Sequence, residues 1–360
     1  MKSFNTNSPS KNPEKVFSHQ GQSQGWIWLG LIAVYALIMM FGLWYGRYPI
    51  SWQDIMQTLF TSSLQDETAQ MINTIVLDVR LSRLFLASLV GVALATSGAV
   101  FQGLLRNPLA DPFTLGVSTG AAFGATVALI LGLGSHAGYF GLGLLPFVAM
   151  LGAFAALVIV LNLARVEGAL RPATMILAGI VVSTFLSALI SLLKSLDEES
   201  LSAIVFWMLG SFAGRGWPHV LFALPYVAIG LTIFLFYAHE LDILSMGELE
   251  ARHLGVPVDK VRMILLVSAC LTTAAAVSIS GVIGFVGLVI PHLIRMLQGP
   301  NHRPLLVSSA LLGAITMVIS DLLAKNILSG GEELPVGVLT TLIGGPFFCY
   351  ILKIRKSQIA

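Results

Sequence analysis

Ser245–Pro257, SMGELEARHLGVP, is a polar island between two long apolar runs. Ser245 and Glu248 have the spacing of a capping box, so the segment is expected to start a short helix unaided. Gly255 and Pro257 supply a stop. Glu248, Glu250, Arg252 and His253 crowd a helix of about two turns that lipid would not accept. Two readings are open: a solvated connector with a capped turn, or a surface built for a soluble partner to grip. Composition alone leaves them level.

The flanking apolar runs are two of many. Of 360 residues, 56% are hydrophobic and 11% charged, with mean hydropathy +0.85, where soluble domains carry about 25% charge. Apolar runs of about 20 residues span a bilayer and satisfy their backbone internally as helices. The expected class is therefore an all-α polytopic membrane protein. Its spans lie near 26–45, 82–104, 113–133, 144–164, 173–193, 218–238, 260–279, 282–298, 304–324 and 335–352. Only Ser280-Gly281 divides the seventh from the eighth, which leaves nine or ten spans open. Fourteen of the twenty Lys and Arg fall on the side of the N-terminus and six on the other. This bias expects both termini, and Ser245–Pro257, in the cytoplasm.

Residues 1–25 are polar and are expected to be a disordered cytoplasmic tail, followed by a single transmembrane domain over 26–356. The run 26–45 is too long for a signal core. A net charge of +2 gives no ground for nucleic-acid binding. Cys270 and Cys349 lie inside apolar runs without metal-ligand or disulfide spacing and read as small core residues.

Two connections on the far side look structured. Ser51 begins SWQD, another capping-box spacing, and Trp52, Ile55, Met56, Leu59 and Phe60 recur at helical spacing. In Asp197–Phe212, three acids at the front suit a helix N-terminus, and Ile204, Val205, Met208 and Leu209 make an apolar face. Gly116, Gly120 and Gly124 at four-residue steps, and Gly281, Gly284 and Gly287 at three-residue steps, read as close-packing surfaces. Arg106–Pro112, with two prolines, forces a tight turn.

No catalytic constellation is present. The seven His form no metal-ligand pair at helical spacing, and there is no phosphate-binding glycine loop. Any ATP must be handled by another polypeptide. Arg80 and Arg83, three apart at the outer end of the second span, share a face. Asp321 and Lys325 lie four apart in the favourable order. They read either as snorkelling cations plus one ion pair, or as an outer basic patch for an acidic partner.

Five segments, in order, resemble the permease subunits of iron-chelate and cobalamin ABC importers, the FecCD type. They are RLSRLFLASLVGVALATSGAVFQGLLRNPLADPFTLGVSTGAAFGA (Arg80–Ala125), WMLGSFAGRGW (Trp207–Trp217), GELEARHLGV (Gly247–Val256), SGVIGFVGLVIPHLIRMLQGPNHRPLL (Ser280–Leu306) and ELPVGVLTTLIGGPFF (Glu333–Phe348). The resemblance covers nearly everything after residue 50. It implies the type II ABC importer permease fold, with about ten transmembrane helices and both termini cytoplasmic.

It also implies partners and sites. Two permease copies, identical or different, form a central path in the bacterial cytoplasmic (inner) membrane. Two copies of a separate ATPase, which uses the ATP and magnesium, grip a coupling helix at about 246–255, through Gly247, Glu248, Glu250, Ala251, Arg252, His253, Leu254 and Gly255. The permease itself carries no cofactor and is no enzyme. A periplasmic or extracellular binding protein docks through acids on Arg80 and Arg83. Lys325 matches the third docking position, where cobalamin permeases carry arginine; lysine keeps the charge and loses the bidentate geometry. The inner gate corresponds to Arg171, Pro172, Ala173 and Thr174, with Pro172 and Ala173 standing where cobalamin permeases have hydroxyl residues. The expected cargo is a ferric siderophore, with haem, cobalamin and oxyanions such as molybdate as alternatives. An ion-driven secondary carrier would need acids within its spans, and apart from Asp321 none lies there.

Overall fold

Long apolar stretches broken by glycine, proline and short polar segments give a helical bundle. The computed structural model describes residues 13–60, 67–133, 142–166, 169–328 and 332–359. Among them the helices are α1 (Pro13–Trp44), α2 (Trp52–Phe60), α3 (Glu67–Asn73), α4 (Ser82–Leu104), α5 (Val117–Ile130), α6 (Leu145–Leu163), α7 (Pro172–Leu196) and α8 (Leu201–Leu209). They continue as α9 (Trp217–Phe236), α10 (Ala238–Met246), α11 (Glu248–His253), α12 (Val258–Ser280), α13 (Val286–Gln298), α14 (His302–Asn326) and α15 (Val336–Ile359). A two-residue hairpin, β1 (Arg165–Val166) with β2 (Ala169–Leu170), joins α6 to α7.

Seven helical stretches are long and apolar enough to cross a membrane, and three shorter apolar helices, α5, α13 and the Val336–Tyr350 part of α15, complete a set of ten among the described residues. The division left open at Ser280-Gly281 is real. Gly281 turns the backbone to φ 73°, and a Cβ there would meet the Trp207 carbonyl at 2.1 Å, so α12 ends and α13 begins anew at Val286. Of the expected tail, residues 1–12 lie outside the described residues and 13–25 form the first part of α1.

α4 is the central pillar, buried along almost its whole length between α9, α12, α13 and α14. Helices in lipid associate through close van der Waals contact rather than hydrophobic drive, which favours small residues at their crossings. Gly91 lies against Gly313 of α14 and Gly98 against Gly287 of α13, each so close that an added Cβ would meet backbone oxygen at 2.2 and 1.9 Å. Gly120 and Gly124 pack on Gly152, Ala149 and Ala153 of α6, as their spacing expects. The two glycine series are not uniform surfaces, however. Gly116 sits before α5 at φ 75°, and the Gly281–Gly287 series straddles the break between α12 and α13.

The second span differs most from its sequence reading. The apolar run begins near 82, yet the helical path continues back to Glu67 through a π-helical segment, Thr74–Leu81. Arg80 and Arg83 therefore lie inside a long helical path, not at its end. A π-helical stretch widens the turn, yet Arg80 and Arg83 still line one cavity with Lys325 and Glu333. Ser51 caps α2 as its spacing expects, its Oγ accepting from the Asp54 N–H at 3.2 Å. Of the apolar positions on α2, Ile55 is buried whereas Trp52, Met56, Leu59 and Phe60 are exposed.

Candidate functional site

At one end of the bundle α10 and α11 form a polar corner. Ser245 is not the cap of α11: it lies in the last turn of α10, its hydroxyl donating to the Leu241 carbonyl. The corner is made by Gly247, at φ 156° and ψ 158°, a backbone region essentially confined to glycine. The far end of α11 stops as expected, in a Schellman arrangement. The Val256 N–H bonds the Ala251 carbonyl and the Gly255 N–H the Arg252 carbonyl.

Charge fixes this corner to the bundle. Glu248 accepts from Arg252 at 3.1 Å and from Arg262 at 2.9 Å, and Arg252 also meets Asp259 at 2.9 Å. Arg262, followed by Arg252, holds the Glu248 carboxyl below its ordinary range. Ala251 is fully buried against α12, whereas Met246, Leu249 and Leu254 are exposed beside Glu250, Arg252 and His253. Exposed apolar side chains rimmed by charge are the composition of a protein-binding surface.

Arg262 itself escaped sequence reading, since nothing in spacing links it to position 248. It is 4% exposed, and its other nitrogen donates to the carbonyl of Leu170, the last residue of β2. The next four residues are Arg171-Pro172-Ala173-Thr174, where Pro172 opens α7. Proline suits this first helical position because its missing N–H is not needed there. One guanidinium thus joins α11 to the start of α7. Nearby, Asp242 of α10 accepts from the backbone N–H of His302 and faces its ring at 2.6 Å, fastening α10 to α14.

The opposite end holds the second constellation. Arg83 pairs with Asp321 at 2.8 Å and with Glu333 at 2.7 Å, and Lys325 pairs with Asp321 at 2.8 Å. Arg80 donates to the carbonyls of Leu43 and Trp44, two of the orphan carbonyls that end α1, and to that of Tyr48 in the loop beyond. Both arginines are 7% exposed. Arg80, Arg83 and Lys325 therefore do not stand as free cations. Carboxylates and carbonyls of the same chain already engage them, because these side chains turn into the bundle rather than snorkel. Glu333, with its side chain 24% exposed, is the accessible member of the cluster. Sequence reading passed over it.

Between the two ends runs an apolar cleft of about 480 Å³, bounded by Met208 and Leu209 of α8, Phe285 at the α12–α13 break and Val338 and Leu342 of α15. Asp111 is the one acid lining it. Its carboxylate accepts from the Phe113 and Thr114 N–H groups, but burial still pushes its pKa up to about 6. Cys270 is buried in α12 and Cys349 lies exposed on α15. Among the described residues, no three His, Cys, Asp or Glu gather as metal ligands would.

Comparison with known proteins gives this architecture its context. The model of the FecCD transport family matches residues 33–354. An uncharacterised ABC transporter permease of Bacillus subtilis is 46% identical, covering 80% of this chain and 81% of its own length. A cobalamin import system permease of Halobacterium salinarum is 42% identical, covering 81% and 76%. A metal-chelate type ABC transporter solved in an inward-facing conformation superposes with a TM-score of 0.78 at 35% identity, covering 91% of this chain and 98% of that one. Other relatives are named for the import of molybdate, hemin and ferric dicitrate. A family match across residues 33–354, together with relatives above 40% identity over four-fifths of the chain, makes this chain a member of the FecCD transport family, a permease of ABC importers.

Proposed function

We propose that this permease carries an iron chelate, a ferric siderophore foremost, inward across a bacterial cytoplasmic membrane, with both termini in the cytoplasm. The observation that carries the reading is the α10–α11 corner, with its exposed Met246, Leu249 and Leu254 and its Arg262 link to the base of α7. Two ATPase subunits grip this corner and use the ATP and magnesium, and a second copy of this chain completes the path. Movement of α11 passes through Glu248 and Arg262 to Leu170, and from there to the gate at Arg171–Thr174. Closure and opening then follow as a rocking of packed helices.

A binding protein docks at the opposite end. Since Arg83 is already paired, docking proceeds by exchange: a carboxylate of the binding protein replaces Glu333, with Arg80 and Lys325 supplying further positive charge. The apolar cleft beside α8 and α15 suits a path that passes cargo without holding it tightly. An iron chelate is supported by the solved relative described as a metal-chelate type transporter. Cobalamin is the second reading, favoured by the 42% identical relative.

The test is uptake into proteoliposomes holding the permease, its ATPase and its binding protein, with radiolabelled ferric siderophore and cobalamin compared. ATP-dependent accumulation of the siderophore is expected. Accumulation without the ATPase, or of cobalamin alone, would overturn the reading.

A further inference from the structure

Near the docking end a second cavity, of about 860 Å³, opens between the end of α5, the start of α6, α8 and the turn that follows α8. Its polar lining is lopsided. Arg215 and Trp207 both reach it, and the Arg215 Nε and Trp207 Nε1 groups are buried with no hydrogen-bond partner. Both are donors. Ser211 adds a third: its Oγ accepts from the Ala213 N–H, which leaves the hydroxyl proton to give.

The charge is lopsided too. The other side-chain contact of Arg215 is at 3.3 Å to the His219 ring, and among the described residues it meets no carboxylate. Glu333 is the one acid lining the cavity, and in the undocked chain, the state tested below, it is committed to Arg83 at 2.7 Å. Within the neighbouring cluster Arg83 and Lys325 balance Asp321 and Glu333, so that cluster offers Arg215 no counter-charge.

We propose that this cavity is an anion-accepting site, in which the Arg215 guanidinium and the Ser211 hydroxyl, with Trp207 in the adjoining wall, draw in the negatively charged oxygens on the rim of the cargo, so that the permease favours anionic chelates. The inference rests on the importer reading and narrows its substrate class. A guanidinium in a cavity of low dielectric attracts carboxylate or phenolate oxygens far more strongly than neutral ones. The volume lies in the range that small ligands occupy, about 300–1,000 Å³. A lipid phosphate offers the same oxygens, so the experiment must separate the two.

Trp207 provides the readout. In the full-length chain in phosphatidylcholine nanodiscs, its fluorescence is isolated by subtracting that of Trp207→Phe. Iodide should quench it strongly, and citrate or ferric citrate should protect it. Arg215→Gln should lower iodide quenching about tenfold and abolish the citrate protection, while quenching by neutral acrylamide stays unchanged. Arg215→Lys should keep the iodide effect. Iodide quenching unchanged in Arg215→Gln would overturn the proposal, as would citrate failing to protect the wild-type chain, a result that needs no variant. Anionic phosphatidylglycerol in the nanodisc that shields Trp207 unaided would make the headgroup the occupant and overturn the cargo assignment. None of these readouts needs transport, so failure of the importer reading appears in the uptake assay alone.

Discussion

Arg262 donates to Glu248 across 2.9 Å, and the same buried guanidinium donates to the carbonyl that precedes α7. Arg262→Gln is too short to serve both. In the assembled complex it should lower cargo-stimulated ATP hydrolysis roughly ten- to a hundredfold, with ATPase binding in a pull-down unchanged. Full stimulation in this variant would dismiss the link.

The same pair has a pH signature. Because Arg262 and Arg252 depress the folded-state pKa of Glu248, its contribution is fully present above the ordinary carboxylate value of about 4.3. It is lost as pH falls through the lower folded value. Melting of the complex in nanodiscs should steepen with acid in that window. Glu248→Gln should remove that part of the slope.

Asp321 is fully buried between two cations. Asp321→Ala leaves Arg83 and Lys325 short of a counter-ion and should destabilise the fold by about 3–5 kcal/mol. Asp321→Asn combined with Lys325→Met, which removes one charge of each sign, should cost less than Asp321→Asn alone. Thermal unfolding of the three proteins in nanodiscs decides it; equal costs would show the charges to be uncoupled.

Glu333 competes, on the exchange reading, with the binding protein for Arg83. Glu333→Gln should therefore tighten binding-protein docking, by roughly tenfold in Kd, and Arg83→Glu should weaken it. Surface plasmon resonance on nanodisc-held permease would measure both. A Kd indifferent to Glu333 would take Arg83 out of the contact.

Asp111 carries the opposite pH sense. Its pKa is raised to about 6 from an ordinary value near 3.8, so the folded chain holds the proton more tightly than the unfolded one. Stability falls as pH rises from about 4 to about 6 and stays lower above, by about 3 kcal/mol. Asp111→Asn, which can still accept both N–H bonds, should raise the melting temperature at neutral pH and leave it unchanged in acid. A rise of the same size at both pH values would trace the effect to packing.

Much of the fold was legible because lipid imposes a simple rule: a span must be long, apolar and helical. The spans from α5 to α15, the Ser51 cap and the Gly255 stop follow from local spacing alone. What was not legible depends on partners far away in the chain. Three-residue spacing put Arg80 and Arg83 on one face, and they do line one cavity, but it could not report that backbone carbonyls and carboxylates of the same chain engage them. Ser245 and Glu248 fit a capping box, but Gly247 bends between them. Arg262 and Glu333 gain their roles from residues 14 and 250 positions away, and no local pattern reports such distances.

The four-charge cluster has a mechanical corollary. Separating buried opposite charges is costly in a low dielectric, so the fully buried Asp321, held by Arg83, binds α4 and α14 to travel as a single post. Any widening of the mouth then falls to the other leaf, where α7 leaves much of its surface uncovered and α8 hangs from glycine at its far end. The swing of the door is set by where it is nailed shut.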